Sequence, residues 1–463
     1  MTSTRTDRTL DDLRACVSGT VFTPNDPDYE NARLIFSRHI DRRPAAVVRV
    51  ADAADVAAAI EHARECGLEI AVRAGGHSGA GFGTIDDGLV IDVRGLDAIE
   101  IDVDGRTAWV GAGVTAGRYT HAVGAHGLAT GFGDTGSVGV AGITVGGGVG
   151  FLSRRFGMTI DHLLAVELVT ADGQILHVDA DHHPDLFWAV RGGGGGFGVV
   201  TRLQFRLHEV PEIVGGMLML PATAETIARF MELALAAPDE LGVIVNVMPA
   251  PPMPFFAPEH HGRLVILALM AYAGGPADAE PVLAPFRAVA TPLADLLAPM
   301  PYSGMFQPGD DSYHPIATSW TGYAQDIDLD DARLIVDTLT ERMADPTVQM
   351  AAVQLRPLGG AISRVAADAT AYAHRQWPVM LNTAAIVSGA DALDDQKPWL
   401  ETLGRSLADG TPGAYLGFVV DADGERIHDI YPGDTYLRLA AVKQAWDPDD
   451  VFHHNHTVAP AGA

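Results

Sequence analysis

Glycine is spread unevenly along this 463-residue chain: of its 51 glycines, the densest runs fall before Phe205, at 73–83, 135–152 and 191–201. Glycine lacks a Cβ, so such runs let the main chain come close to a ligand or to another stretch of backbone. A flexible linker can also be glycine-rich. The run at 135–152, however, interleaves Val138, Val140, Ile143, Val145, Val149 and Phe151, apolar anchors that a linker lacks. One half of the chain is therefore built to hold something against bare backbone.

Around these runs the pattern is mixed. From Pro44 the text reads as a β-branched strand (AAVVRV), an Ala-rich helix starting near Asp52 or Asp55, and a strand after Gly67, a β-α-β unit. LVIDV and RTAWVGAG read as two more strands, 115–127 as a helix, and 163–170 with 174–178 as a hairpin turned at Ala171-Asp172-Gly173. The stretch 199–207 reads as another strand. After Pro211 the texture changes to strands such as MLML and LGVIVNVMP, Ala-rich helices and proline-dense joints such as APPMPFFAP. Near the end, AYLGFVV reads as a strand, D-A-D-G as a turn, and TYLRLAAVKQAW as a helix stopped at Asp447-Pro448. The expected fold class is α+β, with units at 1–211, 212–412 and 413–463.

Charge limits the partners. With 59 acidic against 31 basic residues the net charge is −28, which opposes nucleic acid and anionic membranes. The longest apolar stretch, 264–273, is far short of the roughly 20 residues a membrane helix needs. The start is polar and lacks the apolar core of a signal peptide. Cys16 and Cys66 show no metal-ligand or CxxC spacing. A soluble cytoplasmic protein acting on a small molecule is expected, and no pattern specifies its oligomeric state.

The chemistry resides in four segments. In R-A-G-G-H-S-G-A-G-F-G (73–83), successive N–H groups can form a nest for an anion such as a pyrophosphate, Arg73 adds charge, and His77 can act as nucleophile or base. T-G-S-V-G-V-A-G-I-T-V-G-G-G-V-G-F-L (135–152) offers a bare strip on which a large flat ligand can lie. R-G-G-G-G-G-F-G-V-V-T (191–201) superficially resembles a dinucleotide fingerprint. A strand, not a helix, follows it, so a nicotinamide site is not expected. In the last segment, 431–460, His453, His454 and His456 lack an obvious carboxylate partner, so no metal is expected.

Together, in this order and over nearly the whole chain, these segments resemble the vanillyl-alcohol oxidase and p-cresol methylhydroxylase superfamily of FAD enzymes, in its berberine-bridge-like branch. The resemblance implies a two-subdomain PCMH-type FAD-binding domain, its core at about 40–211. It also implies an α/β substrate domain with an antiparallel sheet flanked by helices, and a C-terminal segment returning to the FAD domain.

It further implies FAD bound covalently through one histidine, His77, with Arg73, Ala74, Gly75, Gly76 and Ser78 forming the pyrophosphate loop. Val138, Gly139, Gly142, Gly148 and Gly150 correspond to the second FAD strip, Val199 and Val200 to backbone contacts on the adenine side, and Asn455 to a polar contact from the C-terminal arm. Doubly linked relatives carry a cysteine where this chain has Thr135. The family pattern A-Y-x-N gives the tyrosine as substrate base; here it reads Ala414-Tyr415-Leu416-Gly417, without the asparagine.

Substrate contacts are expected from the middle unit. In V-Q-L-R, strand alternation puts Gln354 and Arg356 on one face, and Asn246, Tyr372 and Arg375 are further candidates. The expected activity is oxidation of an alcohol, sugar, amine or secondary metabolite, with dioxygen reduced to hydrogen peroxide. A flavin-dependent oxygenase, an oxidative cyclase, and a flavin-binding protein without turnover are the alternatives.

Overall fold

The computed structural model describes residues 9–252, 258–306, 314–421 and 424–462. Its first sheet has Ala46–Arg49, Leu89–Asp92 and Ile70–Arg73 in parallel, with Thr20–Phe22 antiparallel at one edge. The crossover helix Ala53–Cys66 is capped by the Asp52 carboxylate, which accepts the Asp55 N–H, and stops at Gly67 with φ 67°. Its Val56, Ala59, Ile60 and Ala63 are buried against the sheet, whose strands carry the continuous apolar runs typical of parallel strands covered on both faces.

A second, antiparallel sheet has the order Ile99–Asp102, Thr107–Gly111, Val199–Arg206, Leu163–Val169, Ile175–Asp179. The hairpin expected at Ala171-Asp172-Gly173 is present, the Thr170 N–H donating to the Gln174 carbonyl at 3.0 Å. The edge strand Ile99–Asp102 escaped the sequence reading because its Glu100 and Asp102 face solvent.

The middle of the chain forms an antiparallel sheet in the order Ala294–Asp295, Ile213–Pro221, Leu264–Tyr272, Leu241–Pro249, Val348–Pro357, Val379–Val387, Ile316–Ala324. Helices Ala224–Ala236, Leu329–Arg342 and Leu393–Ala408 cover one face: Phe230, Ile335 and Leu403 share a core with Val245, Val353 and Leu381. The opposite face carries Asn246, Gln354, Asn382 and Arg356 and meets the first unit. Helix Asp434–Trp446 and Phe452 and Val458 pack back into the first unit's core with Trp188 and Phe197.

One expected strand is corrected. The segment AYLGFVV contains only a short 3₁₀ turn, Leu416–Phe418, closed by the Phe418 N–H on the Tyr415 carbonyl at 2.9 Å. The segment turns there to bring Tyr415 under the glycine strip and, among the described residues, pairs with no strand edge. Residues 253–257 of the proline-dense joint and 422–423 of the D-A-D-G turn lie outside the described residues. Among the described residues no helix is long and apolar enough to cross a membrane.

Candidate functional site

Four segments distant in sequence line one cavity. Ala74 and Phe82 come from the first glycine run; Ala141, Gly142 and Val145 from the second; Gly195, Gly198 and Val200 from the third; Phe452, His454 and Asn455 from the C-terminal arm. Ile70, Val72 and Val93 complete its apolar wall. A Cβ added at Gly142 would meet nothing within 4 Å, so this backbone faces open space. A slot with apolar walls, exposed main chain and a carboxamide at one side suits a flat heteroaromatic nucleotide.

The first two runs also touch each other. A Cβ on Gly139 would come within 2.5 Å of the Gly75 nitrogen, and one on Gly75 within 2.4 Å of the Gly139 nitrogen, so glycine is required on both sides. The Gly76 carbonyl accepts the Phe36 N–H at 3.1 Å, and Ser78 closes a turn onto the Gly81 N–H at 3.1 Å. The His77 imidazole stacks on Phe36 with 4.3 Å between ring centroids. Burial pulls its pKa down to about 4, against a hydrogen bond to the Ser137 backbone that favours the charged form. At neutral pH it is an uncharged imidazole, one nitrogen of which keeps its lone pair.

Gly148 and Gly150 have tight surroundings: added Cβ atoms would meet Thr159 Oγ1 at 2.1 Å and the Phe132 carbonyl at 1.6 Å. The Gly148 N–H donates to the Tyr415 hydroxyl at 3.0 Å. Burial pushes the Tyr415 phenol upward, while the backbone of Gly148 and Val149 and the charge of Arg356 pull it down. Tyr415 stands edge-on to Tyr372, whose hydroxyl lies 2.9 Å from that of Tyr323, so an aromatic wall adjoins the strip.

Arg356 reaches across from the middle sheet. Its Nη2 donates to Asp134 Oδ2 at 2.5 Å, Nη1 to the Val149 carbonyl at 3.1 Å, and Nε to Gln354 Oε1 at 2.7 Å. Gln354 donates to Asn246 Oδ1 at 2.9 Å. On the other side, the Thr135 hydroxyl donates to Asp134 Oδ1 at 3.0 Å. Asp134, Phe36 and Asn382 were missed by the sequence reading; only contacts between distant segments reveal them.

Several of the candidate residues are engaged within the protein. The Arg73 guanidinium does not line the slot: it is buried, donating to Asp92 Oδ2 at 2.9 Å and to the carbonyls of Ala32 and Leu34, while its stem supports Gly76 and Gly83. Arg375 is held by Asp161 in a two-point ion pair at 2.7 and 3.0 Å, beneath the Tyr372 ring. Part of the 191–201 run receives the C-terminal arm: Lys443 Nζ donates to the Gly196 carbonyl at 2.8 Å, and a Cβ on Gly195 would strike the Asn455 carboxamide at 2.6 Å. Val199 and Val200 both belong to the buried core, and Val200 also lines the slot. Val138 is tied by its carbonyl to the Ala116 N–H at 2.8 Å. The imidazoles of His453, His454 and His456 each engage a backbone carbonyl, of Asp450, Thr84 and Val419.

This fold and slot define an FAD-binding oxidoreductase. The model of the FAD-binding domain matches residues 44–179, and that described as berberine and berberine-like matches 414–459. Over 96% of its length the chain is 30% identical to the (R)-6-hydroxynicotine oxidase of Paenarthrobacter nicotinovorans, covering 98% of that protein. The crystal structure of 6-hydroxy-D-nicotine oxidase from Arthrobacter nicotinovorans superposes with a TM-score of 0.83 at 25% identity, covering 99% of both chains. Xylooligosaccharide oxidase from Myceliophthora thermophila C1 shares the fold, with a TM-score of 0.84 at 21% identity over 97% of this chain and 100% of that one. The chain belongs to the berberine-bridge-like family of FAD-linked oxidoreductases.

Proposed function

We propose that this chain is an oxidase of a small organic substrate, carrying its FAD on a single covalent link to His77. When bound, the flavin supplies the redox chemistry, taking hydride from a substrate C–H next to oxygen or nitrogen and passing the electrons to dioxygen, released as hydrogen peroxide. The observation that carries the reading is the convergence of four glycine-rich or arm segments on one slot, with a neutral imidazole on the adjoining loop.

Each residue has its task. His77, uncharged at neutral pH, offers the lone pair that a carbon–nitrogen bond needs. The backbone of 74–78, with Val138, Gly139 and Gly142, would hold the pyrophosphate and ring system; Gly198, Val199, Val200 and Asn455 would hold the nucleotide end. Gly148 and Gly150 shape the strip through their close contacts. Tyr415 takes the proton of the substrate hydroxyl or amine, its phenolate favoured by the Gly148 N–H and Arg356. The sheet of 212–412 forms the roof, and Asn246, Gln354, Arg356 and Tyr372 lie toward the substrate.

Dioxygen as acceptor is tested by mixing photoreduced protein with air-saturated buffer in a stopped-flow instrument. Reoxidation within seconds is expected. A reduced flavin that persists for many minutes but is discharged by a quinone would make the enzyme a dehydrogenase.

A further inference from the structure

His77 is only half-buried, and the last torsion of a histidine side chain is soft, so the plane of its ring is set by what packs on it. A hydrogen bond to the Ser137 backbone anchors a point, not a plane. Phe36 supplies the plane: its ring lies face to face with the imidazole, 4.3 Å between centroids and 20° from parallel. That plane has chemical weight. The lone pair of an uncharged imidazole nitrogen lies in it, so turning the ring swings the lone pair off its target.

Phe36 is itself held from three directions. Its N–H donates to the carbonyl of Gly76, the residue before His77, at 3.1 Å. Its carbonyl accepts from Nδ1 of His314 at 3.1 Å, a residue of the middle unit 278 positions on, whose ring also meets the Phe36 ring edge-on at 5.9 Å. Just before it in the chain, the carbonyls of Ala32 and Leu34 accept from the buried Arg73 guanidinium, and the buried Ile35 packs against Gly76 and Gly83. Segment 32–36 is thereby tied to the loop that carries His77. Yet the Phe36 ring is half-buried and belongs to no hydrophobic core among the described residues. A large ring kept out of every core, and braced against one imidazole, acts on that imidazole.

We infer that Phe36 is a positioning residue for the covalent attachment of FAD, setting the plane of His77 so that its free nitrogen faces the carbon it joins. The inference rests on the reading of His77 as the attachment point and goes beyond it. Attachment forms a bond between an imidazole nitrogen and the carbon of a flavin methyl group, and breaks one C–H bond of that methyl and the imidazole N–H. Both protons and the C–H electron pair pass to the flavin, and dioxygen then removes two electrons and two protons as hydrogen peroxide. The rate of such a step depends steeply on aim, a misplacement of about 1 Å costing up to about a hundredfold.

The test compares the purified parent, Phe36→Leu and Phe36→Tyr. Total flavin is read from the visible spectrum of the native protein, and the linked share is what stays with the chain after acid denaturation. Phe36→Leu should bind as much flavin as the parent but retain about tenfold less of it through acid. Phe36→Tyr keeps a stacking ring and should retain the parent's share. An undiminished share in Phe36→Leu, or an equal loss in Phe36→Tyr, would overturn the inference. So would a fall in total flavin that matches the fall in the linked share, since Phe36 would then serve FAD binding or the fold and not attachment. Acid release of all flavin from the parent itself would overturn the reading of His77 as the attachment point, and the inference with it.

Discussion

The Tyr415 hydroxyl accepts the Gly148 N–H at 3.0 Å, joining residues 267 apart in sequence. This contact sets a buried phenol against the glycine strip, with Arg356 drawing its pKa down while burial raises it. Tyr415→Phe keeps the ring and removes the hydroxyl. It is expected to slow flavin reduction by substrate about a hundredfold or more while sparing flavin content. Single-turnover reduction kinetics measure this; an unchanged rate would assign the proton to another group.

The sign of the pH effect follows from the same contact. A base must be deprotonated, and burial holds this phenol above its ordinary pKa of 10.0, so kcat/KM should rise toward alkaline pH. Arg356→Met removes the positive charge that favours the phenolate and leaves Asp134 uncompensated nearby, so the rising limb should move to higher pH. A limb unmoved by this variant would separate Arg356 from the titration of Tyr415.

Asp92 is fully buried among Arg49, Arg73 and Arg94, which hold its carboxylate well below the usual range. Asp92→Asn leaves the buried Arg73 guanidinium without its counter-charge and should cost about 3 kcal/mol of stability. Urea denaturation measures it. A midpoint equal to the parent's would show that the carbonyls of Ala32 and Leu34 suffice.

His162 and His208 share a hydrogen-bonding contact at 3.0 Å, and burial lowers both to about 4 from the ordinary 6.5. Between those values the unfolded chain binds more protons than the folded one, so stability is fully present above about pH 6.5 and falls as the pH drops toward 4. His77 adds to the same trend. Thermal unfolding should show a Tm that declines from pH 7 to pH 5, with a shallower decline in His208→Gln. An equal slope in that variant would remove the pair from the account.

Thr135 is exposed, with its hydroxyl on Asp134. A hydroxyl does not replace a thiolate as nucleophile, so one flavin linkage is expected. Peptide mapping should find flavin on one peptide only. Flavin on a second peptide of the parent protein would contradict this, while Thr135→Cys is the variant in which a second link is expected to form.

What the sequence made legible depended on locality. The Ala53–Cys66 helix, the hairpin at Gly173 and the strand Leu241–Pro249 carry their own periodicity, caps and turn residues, and they form as expected. The glycine runs announced a cradle because missing side chains are visible in any order. The pairing of Arg73 with Asp92 was hidden because Asp92 lies on the neighbouring strand, 19 residues along the chain. The Asp134–Arg356 pair spans 222 residues and the Asn246–Gln354–Asn382 row spans three strands, so neither exists until the sheet is assembled. The segment at Tyr415 reads as a strand from its apolar run, yet its conformation is set by the contact with Gly148.

Whether His77 carries the flavin is decided by the intact mass of the acid-denatured protein, measured alongside its His77→Ala variant. The parent chain should retain the added mass of one FAD after denaturation, with the flavin on the peptide containing His77, and the variant should have the mass of the bare polypeptide. A bare parent chain, or an FAD adduct that survives in His77→Ala, would contradict the account.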